Sequence, residues 1–400
     1  MKKKTIIIGT FLVTMLAGGM TGCGSSGSDT KLTVWTNMSV EADTIQKYAD
    51  EWGEQNGYEV EVIHQSPSVQ QFAQAVKSAS GPDAVVGIPN DQLADYVNAD
   101  LTAAVPDDLY VDSDFSDAAI QACYVDGTRY AAPLSVETTA LFYNTDMVEK
   151  VPATWEELVE QAVENGGVQF DATSIYYDLG FVRACGGYIF NYQNGAYDTS
   201  DIGLANDGAV QAYHFLDDLC NRYGLITADV TADIARSNFQ NGKCAYYIGG
   251  PWDIDGFTSA ETPFGITEMP TFHGQAFVTP VGTQVSFVGK DSDKQEPAWS
   301  FIKYLIENGA KDLYEAGDRI PARLSDQELE EIRENAYAKA FIVQINQGEP
   351  MPTVSEMGQL WSIHVNNIRS MWSGEQTPEE AAKNMVAQLE EAVELMNSGK

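Results

Sequence analysis

The sequence predicts an α/β protein of two domains, each a sheet flanked by helices, and three observations carry that expectation. Four hundred residues exceed what one hydrophobic core usually organises. Strand-like and helix-like segments alternate from residue 31 to residue 89. A second alternating run begins near residue 139.

Each element has its own justification. "KLTVWTN" at 31–37 is rich in β formers. "EADTIQKYADEWGEQNG" follows, with Ile45, Tyr48, Ala49 and Trp52 at helical spacing and Gly57 as the stop signal. "YEVEVI" alternates as a strand does, "SVQQFAQAVKSAS" places Val69, Phe72, Ala73 and Val76 on one helical face, and "GPDAVVGIP" is a turn leading into a strand. This β-α-β-α-β order predicts a parallel sheet covered by helices. Ligands bind such sheets beyond the C-terminal strand ends, where Asn37, Gly87 and Asp91 fall. In the second run "ATWEELVEQAV" opens with a capping box, Thr154 at the N-cap and Glu157 three residues on. "DGAVQAYHFLDDLCNRYG" and "EPAWSFIKYLIENG" are amphipathic helices, and "KCAYYIGGPW" is a strand closed by turn chemistry, which sets Trp252 on a loop. "TPEEAAKNMVAQLEEAVELMN" closes the chain, with Thr377 and Glu380 as a capping box and Pro378 at the first helical position.

The N-terminus belongs to export rather than to the fold. "MKKK" is a positive n-region, residues 5–20 form an apolar h-region, and Met20 to Cys23 resemble a bacterial lipobox. Residues 1–22 are therefore expected to be a signal peptide, with Cys23 lipidated and residues 23–30 a flexible tether. Removing residues 1–22 takes away Lys2, Lys3 and Lys4 and no acid, so 23 basic residues become 20 against 58 acidic ones and the formal charge moves from -35 to -38. Such a surface repels nucleic acid, whose phosphates need Lys and Arg, but accepts a neutral ligand. Cys123, Cys185, Cys220 and Cys244 match no small disulfide framework, and their apolar contexts predict four buried thiols.

The chain contains no P-loop, no GxGxxG after a strand, no HExxH and no GxSxG. The four histidines are scattered, and "DIDG" at 253–256 is a calcium-loop fragment without its terminal Glu that reads as a turn. No catalytic residue, metal site or cofactor is expected. Two other classes stay open at this point: a ferric-ion receptor using the adjacent Tyr176 and Tyr177, and an exported glycosidase using a carboxylate pair.

Eight stretches then follow in one order: "KLTVWTN", "SGPDAVV", "YAAPLSVETTALFYN", "PATWEEL", "GGYIFNYQNGAYD", "GGPWDID", "MPTFHGQ" and "EPMPTVSEMGQLW". Together they resemble the maltose/maltodextrin-binding proteins of bacterial ABC importers, across about residues 31 to 397. The resemblance implies a periplasmic-binding-protein-like fold of two lobes joined by three hinge crossovers. Lobe one would hold about 31–135 and 285–333, and lobe two about 139–282 and 334–400. It implies a lipid-anchored, monomeric receptor on the extracellular face of the cell membrane. That receptor would close on an oligosaccharide, with an α-1,4-glucan favoured, and dock on a transmembrane permease; a non-glucan oligosaccharide is the alternative.

A sugar ring offers an apolar face and a rim of hydroxyls, so aromatic rings and carboxylates suit it. Mapped by motif, the resemblance assigns stacking to Tyr176, Trp252 and Trp361, with Tyr177 a neighbouring aromatic. It assigns hydroxyl bonding to Glu137 at the hinge and Asp91 in lobe one, with Asn37 and Gln92 beside the first strands and Met351 as an apolar cleft residue. Ser39, Val40, Gln92, Ser174 and Val365 depart from the charged groups of the family, and Gly87 stands in place of a tryptophan. The glycine is expected to leave an open wall where a further sugar ring lies.

Overall fold

The computed structural model describes residues 30–78, 81–193 and 196–398, so the signal peptide and Cys23 lie outside the described residues. Two sheets organise the chain. The first has seven strands, in the order Ile320–Pro321, Ala132–Glu137, Pro280–Val288, Ala84–Pro89, Lys31–Thr36 and Glu59–His64, with Glu349–Pro350 paired to the start of Pro280–Val288. The second has four, in the order Phe264–Thr267, Ala140–Asn144, Tyr246–Gly249 and Val168–Gln169. Helices cover both, which gives two α/β lobes.

The first three strands run parallel, as their alternation with helices predicts. The whole sheet is mixed, which corrects the expectation of a parallel one. Pro280–Val288 enters antiparallel between Ala84–Pro89 and Ala132–Glu137. It arrives from the other lobe, so no right-handed helical crossover dictates its direction.

Ala42–Asn56 is a helix that buries Ile45, Tyr48, Ala49 and Trp52, and Gly57 ends it in the left-handed region at φ 77. Pro378–Ser398 starts with the expected capping box, Glu380 N–H donating to Thr377 Oγ1 at 3.2 Å and Thr377 N–H to Glu380 Oε2 at 2.9 Å. At Trp155–Glu164 the box is displaced. Thr154 caps Glu157 N–H, but Glu157 accepts from Ala153 rather than from Thr154. The cysteine expectation holds in part: all four thiols are free, yet only Cys123 and Cys244 are buried, while Cys185 and Cys220 are half-buried at helix ends. No helix among the described residues is long and apolar enough to cross a membrane.

Between the sheets the chain is tied to itself. Thr138 follows the strand Ala132–Glu137, and its hydroxyl lies 2.6 Å from Thr279 Oγ1 and donates to the Pro280 carbonyl at 2.7 Å. Gln344, from the helix Ala336–Gln347, donates to Phe277 O at 2.7 Å and Thr279 Oγ1 at 3.1 Å, and accepts from Met269 N–H at 2.9 Å. Thr138, Thr279 and Gln344 are all buried, so three separate segments meet in a dry, fully bonded stitch.

Candidate functional site

Trp252 sits at the end of the strand Tyr246–Gly249, on a single 3-10 turn, Pro251–Asp253, that opens the helix Ile254–Ser259. The turn is held from below by Asp253, whose side chain is wholly buried. Asp253 accepts from Tyr247 Oη at 2.8 Å, from Gly250 N–H at 3.3 Å and from the Arg236 guanidinium. The "DIDG" fragment is thus not the expected turn: Asp253 ends the 3-10 segment with its acid spent on protein donors, and Ile254 to Gly256 open the helix Ile254–Ser259. A Cβ on Gly250 would strike the six-membered ring of Trp252, so the glycine lets the indole fold over its own backbone. Trp252 is half-buried, whereas Tyr247 and Asp253 beneath it are buried.

Tyr176 and Tyr177 occupy the first turn of the helix Ile175–Ala184, which Ser174 caps through its side chain. The Tyr176 ring lies 6.3 Å from Trp252, tilted by 50°, and 5.7 Å from Tyr177, nearly perpendicular. Tyr176 Oη is buried without a hydrogen-bond partner. Burial holds both phenols well above their usual range; Tyr177 and Asp91 add to it at Tyr176, and Asp253 at Tyr177. Tyr177 therefore lies toward the Asp253–Arg236 anchor, beside Tyr176. Tyrosinate ligation of iron is disfavoured by the same burial. Among the described residues no group of three His, Cys, Asp or Glu side chains is placed to hold a metal ion.

Asp91 and Trp361 approach from opposite lobes. Burial raises the Asp91 carboxyl, while its own backbone N–H and the nearby Trp361 side chain act against that rise. Trp361 is half-buried on the helix Met357–Trp372. Glu137 ends the strand Ala132–Glu137 beside Gly282; a Cβ there would stand 3.3 Å from Glu137 Cγ and 3.6 Å from Tyr176 Oη. Glu137, Tyr176, Trp252, Asp91 and Trp361 thus converge on one seam between the lobes, delivered by five separate segments.

The other assigned residues fare differently. Met351 is 3% exposed and belongs to the core beside the hinge, not to an open cleft. Its carbonyl accepts from Asn90 Nδ2 at 3.0 Å, and the same buried amide reaches Thr353 Oγ1 at 3.0 Å and Thr283 N–H at 3.0 Å. Asn37 accepts from the Ser66 hydroxyl, and Gln92 is exposed. The open wall expected at Gly87 does not exist. Gly87 is a buried bulge position at φ 72, and a Cβ there would run into the Met38 side chain, which is 2% exposed.

Sequence reasoning missed Arg319. Its guanidinium pairs with Glu137 Oε2 and, through Nε, with Glu41 Oε1 at 2.8 Å, while Gln284 Nε2 donates to Glu137 Oε1 at 3.1 Å. Glu41 is 2% exposed in its side chain and Glu137 13%. The available signal was weak: a lone Arg before "IPAR", far in sequence from both acids.

Two cavities open elsewhere between the lobes. One, of about 640 Å³, is lined by Asn98, Tyr124, Tyr192 and Glu356 among others; the next, of about 320 Å³, shares Gln121, Tyr192 and Tyr197 with it. Gln121 Nε2 donates to Tyr197 Oη at 3.0 Å across this gap. None of the assigned site residues lines either cavity.

Near the seam, Asp318 follows the helix Ala310–Gly317, and burial together with Asp255 pushes its carboxyl up to about 6. Asp318 therefore binds its proton more tightly folded than unfolded. Its contribution to stability is complete below the unfolded value near 3.8 and is lost as pH rises through about 6. Asp318→Asn, which tolerates the observed φ of 54, is expected to raise the melting temperature at pH 7.5 and to lose that advantage by pH 4. An unchanged difference between parent and variant across that range would contradict the repulsion.

A profile of the bacterial extracellular solute-binding proteins matches residues 47–340. The galactooligosaccharide-binding protein of Bacillus subtilis is 28% identical over 94% of this chain and 92% of its own length. A maltooligosaccharide ABC transporter solute-binding lipoprotein of Streptococcus pneumoniae is 24% identical over 98% and 97%. The structure of the maltose-maltodextrin binding protein of Alicyclobacillus acidocaldarius superposes with a TM-score of 0.83 at 31% identity, covering 90% of this chain and all of that one. With two α/β lobes, a bonded hinge and an aromatic seam between them, the chain belongs to the bacterial extracellular solute-binding protein family.

Proposed function

We propose that the protein is a lipid-anchored receptor, attached through Cys23 to the outer face of the cell membrane. It captures maltodextrin-type α-1,4-glucans between its lobes as a monomer and hands them to the permease of an ABC importer. It makes and breaks no bonds. One lobe comprises about 31–135 and 285–333, the other about 139–282 and 334–400. Tyr176, Trp252 and Trp361 present ring faces to the sugar, and Asp91 and Glu137 accept from its hydroxyls.

The observation that carries this reading is the convergence of three aromatic planes with two carboxylates at the seam, where Tyr176 Oη is buried with no partner. A buried orphan hydroxyl is costly, and a ligand hydroxyl arriving between the lobes satisfies it. Selection follows from closure, because a ligand touching both lobes binds the apposed state better than the separated one. The similarity to the Bacillus subtilis protein gives a second reading, a galacto-oligosaccharide ligand in the same seam.

Calorimetry across maltose, maltotriose, maltotetraose and galacto-oligosaccharides separates these readings. With Met38 closing the Gly87 side, any preference for length rests on the aromatic row alone. Tighter binding of the tri- and tetrasaccharide glucans than of maltose is expected, since each added ring buries apolar face after most association entropy is lost. Binding of galacto-oligosaccharides with no response to glucans overturns the maltodextrin assignment and keeps the receptor. Silence from every oligosaccharide overturns both.

A further inference from the structure

Behind the aromatic seam lies a polar cluster that contacts no cleft. Asp178, His364 and Tyr213 have no solvent exposure, and they come from three helices that pack together, Ile175–Ala184, Met357–Trp372 and Asp207–Asp217. Both Asp178 oxygens, His364 Nε2 and Tyr213 Oη are buried with no hydrogen-bond partner. Four orphan polar atoms in one place are rare in a native interior and call for a physical account.

The geometry supplies it. His364 Nδ1 lies 2.9 Å from the Thr173 carbonyl, which can only accept, so Nδ1 carries the proton and Nε2 presents a lone pair. That lone pair faces Asp178 Oδ2 at 3.7 Å. An ionised carboxylate has nothing to donate to it. A carboxylic acid does, and a shift of about half an ångström brings the two into hydrogen-bond range. The remaining Asp178 oxygen is without a partner too, and so is Tyr213 Oη, whose ring lies 6.4 Å from that of His364.

We propose that Asp178, protonated and neutral, bridges His364 and Tyr213 in an internal lock that fixes the helix carrying Tyr176 against the helix carrying Trp361. Asp178 and His364 are then positioning residues. They touch no sugar, and they set the spacing of two platforms that stand two and three residues away on the same helices. The inference rests on the reading of Tyr176 and Trp361 as sugar platforms.

The electrostatics agree. Burial drives the Asp178 carboxyl well above its ordinary value, with Asp171 adding to it, and drives His364 down to about 4. Asp178 in turn raises the Tyr213 phenol, whose main shift comes from burial. No cationic side chain appears among the groups that shift Asp178, His364 or Tyr213, so a neutral cluster is the state that this interior supports.

The test uses the full mature domain and maltotetraose, read by calorimetry. Asp178→Asn keeps a donor and an acceptor and is expected to bind within about threefold of the parent. Asp178→Ala empties the lock and is expected to bind about tenfold more weakly or worse. In a Trp361→Ala background the Asp178→Ala effect should shrink to less than about threefold, since residues acting through one another are not additive. Equal losses in both backgrounds, no loss in Asp178→Ala, or a loss in Asp178→Asn as large as in Asp178→Ala each overturn the proposal. Trp361→Ala binding like the parent instead sinks the platform reading, which keeps the two failures apart. Where Asp178→Ala does not fold, infrared spectroscopy of the parent at neutral pH decides. A buried carboxylic-acid carbonyl band, absent from Asp178→Asn, is expected, and a parent without that band overturns the proposal.

Discussion

Trp252→Ala and Trp361→Ala should each weaken binding of the tightest oligosaccharide by about 1–3 kcal/mol, the range of buried aromatic anchors. Both indoles are half-buried at the seam, so each keeps a face free of core packing. Trp252 lies over Gly250 on a turn held by Asp253, Tyr247 and Arg236, so truncating it removes the platform and leaves its anchor intact. Its loss should appear as affinity and hardly as melting temperature. Trp361→Ala also removes a side chain that works against the burial-driven rise of the Asp91 carboxyl. Calorimetry and thermal melts on the same samples check both statements. Parent-like affinity in both variants would show that the seam is not where sugar binds.

Arg319→Ala has the opposite signature. It strands Glu41, 2% exposed, and Glu137, 13% exposed, as two carboxylates with no countercharge between them. Removing one partner of a buried ion pair typically costs about 3–5 kcal/mol, so a large fall in melting temperature is expected. Glu137→Gln keeps Glu41 paired with Arg319 and relieves one of the two negative charges on it. Its stability should change little, while the lost charge-assisted acceptor should weaken sugar binding by about 1.5–3 kcal/mol. Denaturant melts and calorimetry on the two variants separate the structural arm of this network from its ligand-facing arm. A Glu137→Gln variant that melts early but binds normally would assign Glu137 to the hinge alone.

Local chemistry was the most legible part of the chain. Gly57, the Thr377 box and the apolar face from Ile45 to Trp52 act within a few residues, and the structure has them as expected. The helix Met357–Trp372 escaped notice because two of its buried positions are His364 and Asn367, which interrupt the apolar period. The polarity that hid the helix is the polarity of the buried cluster behind the seam. The parallel direction of the first three strands was legible from their alternation with helices, but that of Pro280–Val288 was not. The antiparallel entry of Pro280–Val288 depends on where the chain has been for the preceding lobe, which no window of sequence records.

The site divides along the same line. Turn chemistry around Gly250 and Pro251 marked Trp252 as held out from a strand end, and the structure places it there. The groups that hold it, Arg236 and Tyr247 on Asp253, were invisible because side-chain hydrogen bonds between elements leave no periodic signal. Gly87 shows the opposite error. A missing side chain was read as space, but Met38 fills that space from a neighbouring strand end. Met351 likewise carries a cleft motif into a position the hinge has buried, with Asn90 holding its carbonyl.

Capture between lobes is open to small-angle X-ray scattering with and without saturating maltotetraose. The seam joins Asp91 beside the first sheet and Glu137 at the hinge to Tyr176, Trp252 and Trp361, so a ligand bound there bridges the two lobes. The radius of gyration should fall on adding the sugar, and Trp361→Ala should need more sugar to reach the same compact state. Calorimetric binding of maltotetraose with an unchanged radius of gyration would contradict capture by closure and place the sugar on the surface of a single lobe.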